Sequence, residues 1–445
     1  MNAQMLVLYL KRGSLCLLCL GFVLASTVTN AGDGQIDILP NGSDTFTISN
    51  RGSYVLTGDV KMNKSATCIE ITVSNVTLDL NGHYIWGTGT DSGDYKGIAA
   101  SGANFVTVKN GTVQEFGDNG VELGINAHVE NLLVQYNGEN GLSVTDNALI
   151  LNVRAFFNKR AGIEADNSCV IKQCVTNYNG GNSPSAGIYC HNKCTISDCV
   201  ASNNSNNSYN AYVGVYGIRT ASDCVIENND CSGNSNDTTH TGGDLYAIKT
   251  SDGCLIKDNV CNQNIASNLG TDAEIISTGD HCRVIGNISS ANQCTGDDAE
   301  LCGIKVKNNC LVEKNICIDN ELTHASARRS FGIFIDGKRN LIRNNECSGN
   351  TGPSRSVGIY ALSDHNSIIE NHCTNHTSPG YGYGIEVTSG PDYCTVIKNV
   401  TSGNGDQGIK VSAGDHYCAE NVSSDGIFTS TGVTVGTGDR ANVEY

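Results

Sequence analysis

Proline and methionine are nearly missing from this chain, with 5 and 3 residues among 445, and tryptophan occurs once. Set beside 51 glycines and abundant asparagine, that scarcity describes many short strands joined by tight turns and few helices. Cations are outnumbered, 28 Lys and Arg against 45 Asp and Glu, for a formal net charge of −17. So acidic a chain argues against nucleic acid and anionic membranes as partners. No segment after residue 25 is apolar enough to span a bilayer. Nor does a Cys-x-x-Cys pair occur beyond Cys19, so the usual cysteine spacing of a metal site is missing.

Lys11 and Arg12 precede an apolar run at residues 15–25 and then small polar residues up to Ala31. This pattern predicts a secretory signal peptide over residues 1–31, cleaved near 25 or 31. The expected product is a soluble monomer, extracellular or in the periplasm or cell envelope.

What the chain has in quantity is a repeat. Units opening on a "GI" pair or its equivalent start at Gly97, Gly120, Gly141, Gly162, Gly187, Gly217, Ala247, Ile275, Gly303, Gly332, Gly358, Gly384 and Gly408, at intervals of 21 to 30 residues. A period in that range signals a solenoid. Overlaying the units aligns Cys169, Cys194, Cys224, Cys254, Cys282, Cys310, Asn340, Asn366 and Cys394. Five residues further on stand Cys174, Cys199, Asn229, Asn259, Asn287, Asn315, Asn345, Asn371 and Asn399, and ten on stand Asn179, Asn204, Asn234, Asn264, Asn292, Asn320, Asn350 and Asn404. Turns stacked about 4.8 Å apart place each side chain over its counterpart, so asparagines at a corner can bond from turn to turn.

Within one unit Ile304 and Val306, then Cys310 and Val312, then a piece around Cys317 each alternate with period two. Three short strands per turn describe an all-β, right-handed parallel β-helix of about 13–15 coils. Residues 32–96 read as an N-terminal cap and first coils, 97–426 as the repeats and 427–445 as a C-terminal strand or cap.

These units, with the opening NVTLDLNGHYIWG at residues 75–87, resemble the β-helix repeat of the pectate-lyase-like superfamily. They also resemble the periplasmic accessory protein for the copper enzyme nitrous-oxide reductase. The resemblance implies a secreted bacterial β-helix and, through the superfamily, action on polysaccharide; fold alone does not fix activity.

Of the 21 cysteines, 19 lie beyond residue 31. Stacked at inward positions they read as small apolar spacers, with disulfides between vertical neighbours as the alternative. Cys294 and Cys302 flank TGDDAEL off the main columns and are the pair best placed to close a short disulfide loop.

The longer units carry their extra residues at one corner, at 205–216, 235–246, 293–301, 321–331 and 377–383, where they would rise as a wall beside the first strand. The residue just after each "GI" points outward, giving the column Glu164, Tyr189, Arg219, Lys249, Ser277, Lys305, Phe334, Tyr360, Glu386 and Lys410. Cations and aromatics side by side predict a ligand groove, and the resemblance implies polysaccharide as its ligand from Tyr189 to Glu386, with Phe334 and Tyr360 among the substrate-binding residues. In β-elimination from a uronate polymer, Lys249 or Lys305 would serve as base, Arg219 would neutralise the carboxylate, and Tyr189 or Tyr360 would protonate the leaving oxygen. Superfamily members that do this often add calcium, for which Asp297, Asp298 and Glu300 are the best cluster.

Glycoside hydrolysis needs paired carboxyl groups. The Gly-His-Gly of polygalacturonase-like enzymes is missing, as is the Asp-Pro-His of mannuronan epimerase-like ones. Asp280-His281, Asp364-His365 and Asp415-His416 fall on one corner of separated coils and are expected to be turn residues, with Asp as the cap. A non-catalytic envelope or accessory protein, binding glycan or protein or assembling a metal site, is the alternative to a lyase.

Overall fold

The computed structural model describes residues 29–30 and 34–444, apart from 92, 182–184, 207–213, 237–242, 268–269, 271, 389 and 391. The expected signal peptide, apart from residues 29–30, and the tips of the loops at 205–216 and 235–246 lie outside the described residues.

The chain winds as a parallel β-helix, and the predicted repeat is its rung. The first sheet has 16 parallel strands in sequence order. The "GI" units supply one strand each, from Ile98–Ala100 to Gln407–Val411. Phe46–Ile48 and Ile69–Ile71 precede them and Ile427–Thr429 follows. In the coil at residues 303–320 the three strands are Glu300–Val306, Leu311–Glu313 and Ile316–Ile318, each in parallel register with the next coil. A fourth, two-residue strand, which sequence pattern did not reveal, opens the longer corners: Ser205–Asn206, Ser235–Asn236, Ile265–Ala266, Gln293–Cys294 and Glu321–Leu322 stack as a five-stranded sheet.

Asparagine fixes the corners. From Asn229 through Asn259, Asn287, Asn315, Asn345, Asn371, Asn399 and Asn421 to Asn442, each Nδ2 donates to the Oδ1 of the next asparagine at 2.9–3.0 Å. The laddered asparagines do not themselves take up the left-handed conformation. That conformation falls on the residue before each, at Gly286, Lys314, Asn344, Glu370 and Lys398, with φ of 54–67°. One left-handed residue turns the strand through the corner, and the next amide, now inside, satisfies the corner's backbone.

The thiols take the interior role. The 19 described cysteines are all buried and none is in a disulfide, and Cys169, Cys194, Cys224, Cys254, Cys282 and Cys310 stack in the main core. The expected disulfide is not formed. Cys294 packs in the interior, whereas Cys302 faces outward into a separate cluster with Phe331, Phe334, Val357, Tyr360 and Tyr383.

Candidate functional site

At the start of each long coil, strict alternation fails. Leu245, Ala247 and Ile248 all belong to the interior, while Tyr246 belongs to an outer cluster and Lys249 is half-buried at the surface. Two consecutive residues therefore face inward at the "GI" bend, where the strand ladder skips a pairing. The glycine fits because it lies against the asparagine ladder: a Cβ on Gly187 would sit 2.7 Å from Asn204 Nδ2 and 2.8 Å from the oxygen of Gly217. Outward residues on either side of the bend are three apart and lean toward each other. Residues gained by the long loops extend the strand backward, from Ile163–Ala165 to strands such as Glu300–Val306 and Tyr381–Val387. They supply a second outward column through Tyr216, Tyr246, Glu274, Cys302, Phe331, Val357 and Tyr383.

The first outward column is in register from Glu164 to Lys410, every neighbour as aligned from sequence. Its smallest member, Ser277, opens a cleft of about 500 Å³ between Lys249 and Lys305, lined also by Tyr246, Asp252, Glu274, Lys307 and Asp336. Lys305 Nζ lies 2.5 Å from Glu274 Oε1, and Ser277 Oγ donates to Glu274 Oε2 at 2.7 Å. Lys249 Nζ instead sits 3.8 Å from the centroid of the Tyr246 ring, and among the described residues it makes no ion pair. The Tyr246 hydroxyl donates to Asp244 Oδ2 at 2.9 Å.

The two lysines differ in proton affinity. Burial, with Arg219 and Lys305 adding positive charge, pushes Lys249 below the ordinary lysine range against the pull of Glu274 and Asp244. Burial also opposes the charge on Lys305, but Glu274 outweighs it and holds that ammonium above the ordinary range. Tyr246 is held protonated by burial and by the nearby carboxylates of Glu274 and Asp244. Burial and the neighbouring Asp244, Glu300 and Glu274 raise Asp272 to about 6, although it accepts the Glu300 N–H at 2.8 Å.

The other residues singled out in the sequence are placed differently. Arg219 stands one rung before Lys249, its guanidinium 4.9 Å from the Tyr216 ring and 5.2 Å from the Tyr189 ring. Phe334 and Tyr360 are buried against Phe331 and each other. Glu386 is 1% exposed and paired with Arg355 and Lys410. These three do not present an open face to a ligand. Asp298 is held by Arg328 and Asp297 by Ser326, while Arg329 lies 3.7 Å from Glu300. Among the described residues no group of three His, Cys, Asp or Glu could hold a metal ion.

The Asp-His corners behave as turns: Asp280 Oδ1 accepts the Asn308 N–H, and Asp364 Oδ1 accepts the Asp392 N–H. His416 departs from this pattern. It is buried, and its Nδ1 accepts the Cys394 N–H, so it fills the cysteine and asparagine position itself. Glu274 and Tyr246 were missed because period two carried through the bend, at Ile275 and Ala247, places them inside. The signal available was that both fall two residues before a core isoleucine, the position Tyr216, Phe331 and Tyr383 also hold.

A family model described as right handed beta helix region matches residues 284–444. No curated protein matches the chain in sequence. Among solved structures, the A-module of mannuronan C-5 epimerase AlgE4 of Azotobacter vinelandii is 15% identical, with a TM-score of 0.40 over 75% of this chain and 89% of that one. A periplasmic alginate epimerase, AlgG, is 12% identical, with a TM-score of 0.41 over 76% of this chain and 85% of that one. The Dettilon tailspike protein is 14% identical, with a TM-score of 0.35 over 68% of this chain; the chain spans 61% of that tailspike's length. At these identities and scores no residue role passes from those proteins to this chain.

Proposed function

The chain is a right-handed parallel β-helix repeat protein, and we propose that it binds an acidic polysaccharide across the first sheet and cleaves it by β-elimination in the cleft above Ser277. The observation that carries this reading is Lys249: an amine in a cleft, without an ion pair among the described residues, beside a second lysine locked in its charged form. A base must shed its own proton before it takes another, and the lowered proton affinity of Lys249 moves it toward that role while Glu274 moves Lys305 away from it.

In the proposed step, Lys249 takes the proton on the carbon beside the uronate carboxylate, with Lys305 and Lys307 as neighbouring positive charge. The electron pair left behind forms the carbon–carbon double bond as the glycosidic C–O bond breaks. The leaving oxygen takes a proton, for which Tyr246 is the nearest phenol lining the cleft; Tyr189 and Tyr360 do not line it. No step is routed through calcium, because Asp297, Asp298 and Glu300 are each turned to separate partners. The proposed setting is outside the cytoplasm, supported by the leader-like residues 1–31.

The test is incubation with alginate, pectate and glycosaminoglycans while following the ultraviolet absorbance of unsaturated uronates. Product is expected on at least one polymer, lost in Lys249→Ala. Absence of product on all of them overturns the lyase reading, and full activity in both Lys249→Ala and Lys305→Ala overturns the assignment of these lysines. A binding protein without turnover is the second reading, which needs only the cationic and aromatic side chains around Tyr189, Arg219 and Tyr216 and no base.

A further inference from the structure

We infer that Glu274 is the positioning residue of the cleft: by holding Lys305 and the Ser277 hydroxyl with its two carboxylate oxygens, it leaves Lys249 as the lysine free to accept a proton. The catalytic meaning of this division rests on the elimination reading above; the division itself does not.

Glu274 occupies an outward position that elsewhere holds Tyr216, Tyr246, Cys302, Phe331, Val357 and Tyr383, so it is the one carboxylate in a column otherwise given to packing. It lies on the coil between the two lysines. The bend at Ile275 and Ile276, both in the interior, brings Glu274 and Ser277 together from three residues apart. Both carboxylate oxygens are then used on the Lys305 side, at 2.5 Å to Nζ and 2.7 Å to Ser277 Oγ.

Among the described residues Lys249 receives no equivalent contact. The charged and titratable groups facing it are Glu274, Asp244, Arg219, Lys305 and Tyr246, and Asp244 is already engaged by the Tyr246 hydroxyl. Those facing Lys305 are Glu274, Asp336 and Cys302, with Lys249 and Lys307 lining the same cleft. One carboxylate shared unequally between two like cations makes one a fixed charge and the other a base, a pairing of opposite roles that recurs where acid and base chemistry share a site.

The experiment uses the full chain, reductively methylated with ¹³C-formaldehyde, with the lysine methyl resonances followed against pH and assigned by Lys249→Arg and Lys305→Arg. In the unaltered protein Lys249 is expected to titrate first and Lys305 last. In Glu274→Gln the separation should shrink by about one pH unit or more, mainly because Lys305 titrates earlier. In Lys305→Met, which leaves Glu274 in place and frees it for the other amine, Lys249 should titrate about one pH unit later or more. An unchanged separation in Glu274→Gln, or an unmoved Lys249 resonance in Lys305→Met, overturns the inference, as does equal titration of the two lysines in the unaltered protein. If the resonances move as expected while no polymer is cleaved, Glu274 keeps its positioning role and the elimination reading fails. If cleavage occurs, the acidic limb of kcat/KM in Lys305→Met should follow the Lys249 resonance; a limb that stays put refutes Lys249 as the base.

Discussion

The imidazole Nε2 of His376 lies 3.1 Å from the carbonyl oxygen of Cys347. It thereby fills the place of an asparagine amide: Asn350 Nδ2 donates to Cys317 O at 2.9 Å, and Asn404 Nδ2 donates to Cys373 O at 3.3 Å. Since the carbonyl accepts, Nε2 carries the proton, and Nδ1 is left buried without a partner.

That substitution in the ladder makes the fold sensitive to acid. Burial lowers His376 from 6.5 to about 4, so the folded state holds the neutral ring while the unfolded chain takes up a proton below its ordinary pKa. Stability is complete above about pH 6.5 and falls as pH drops from there toward 4, with a loss of about 2 kcal/mol at about pH 5. Guanidinium unfolding of the native sequence and of His376→Asn at about pH 7.5 and pH 5 checks this. The variant is expected to lose less stability on acidification, and equal losses would contradict the assignment.

Asn287 bears more of the fold than its size suggests. Its Oδ1 accepts from the backbone and side chain of Asn259, and its Nδ2 donates to Asn315 and to Ile256 O. Asn287→Ala strands several buried groups at once and is expected to cost about 3 kcal/mol or more in equilibrium unfolding.

The thiols should be chemically silent in the native state. All 19 cysteines from Cys68 to Cys418 are buried and none is in a disulfide, so in the chain without residues 1–31 Ellman's reagent should register almost none natively and all 19 in guanidinium without reductant. Fewer in guanidinium would reveal disulfides that the interior columns do not require.

Much of this was written in the chain. The column from Glu164 to Lys410 and the asparagine ladders follow from period alone, because a stack of equal turns turns sequence alignment into contact. Three things were not legible. Alternation could not show that two consecutive residues face inward at the bend, Ala247 with Ile248 and Ile275 with Ile276, which hid Tyr246 and Glu274. The loop residues extend the first strand and cover Phe334, Tyr360 and Glu386, an outcome of how loops fold back. Finally, Cys294 and Cys302 are close in sequence but stand on opposite sides of one strand layer, which spacing does not reveal.

Among the available measurements, calorimetric titration of Ser277→Phe with acidic oligosaccharides tests the central claim most directly. Phenylalanine is already accommodated in this outward column at Phe334, and at Ser277 it would fill the cleft between Lys249 and Lys305. The account predicts a loss of affinity of about tenfold or more, with the unfolding midpoint nearly unchanged. Retention of the native sequence's affinity in Ser277→Phe would contradict it.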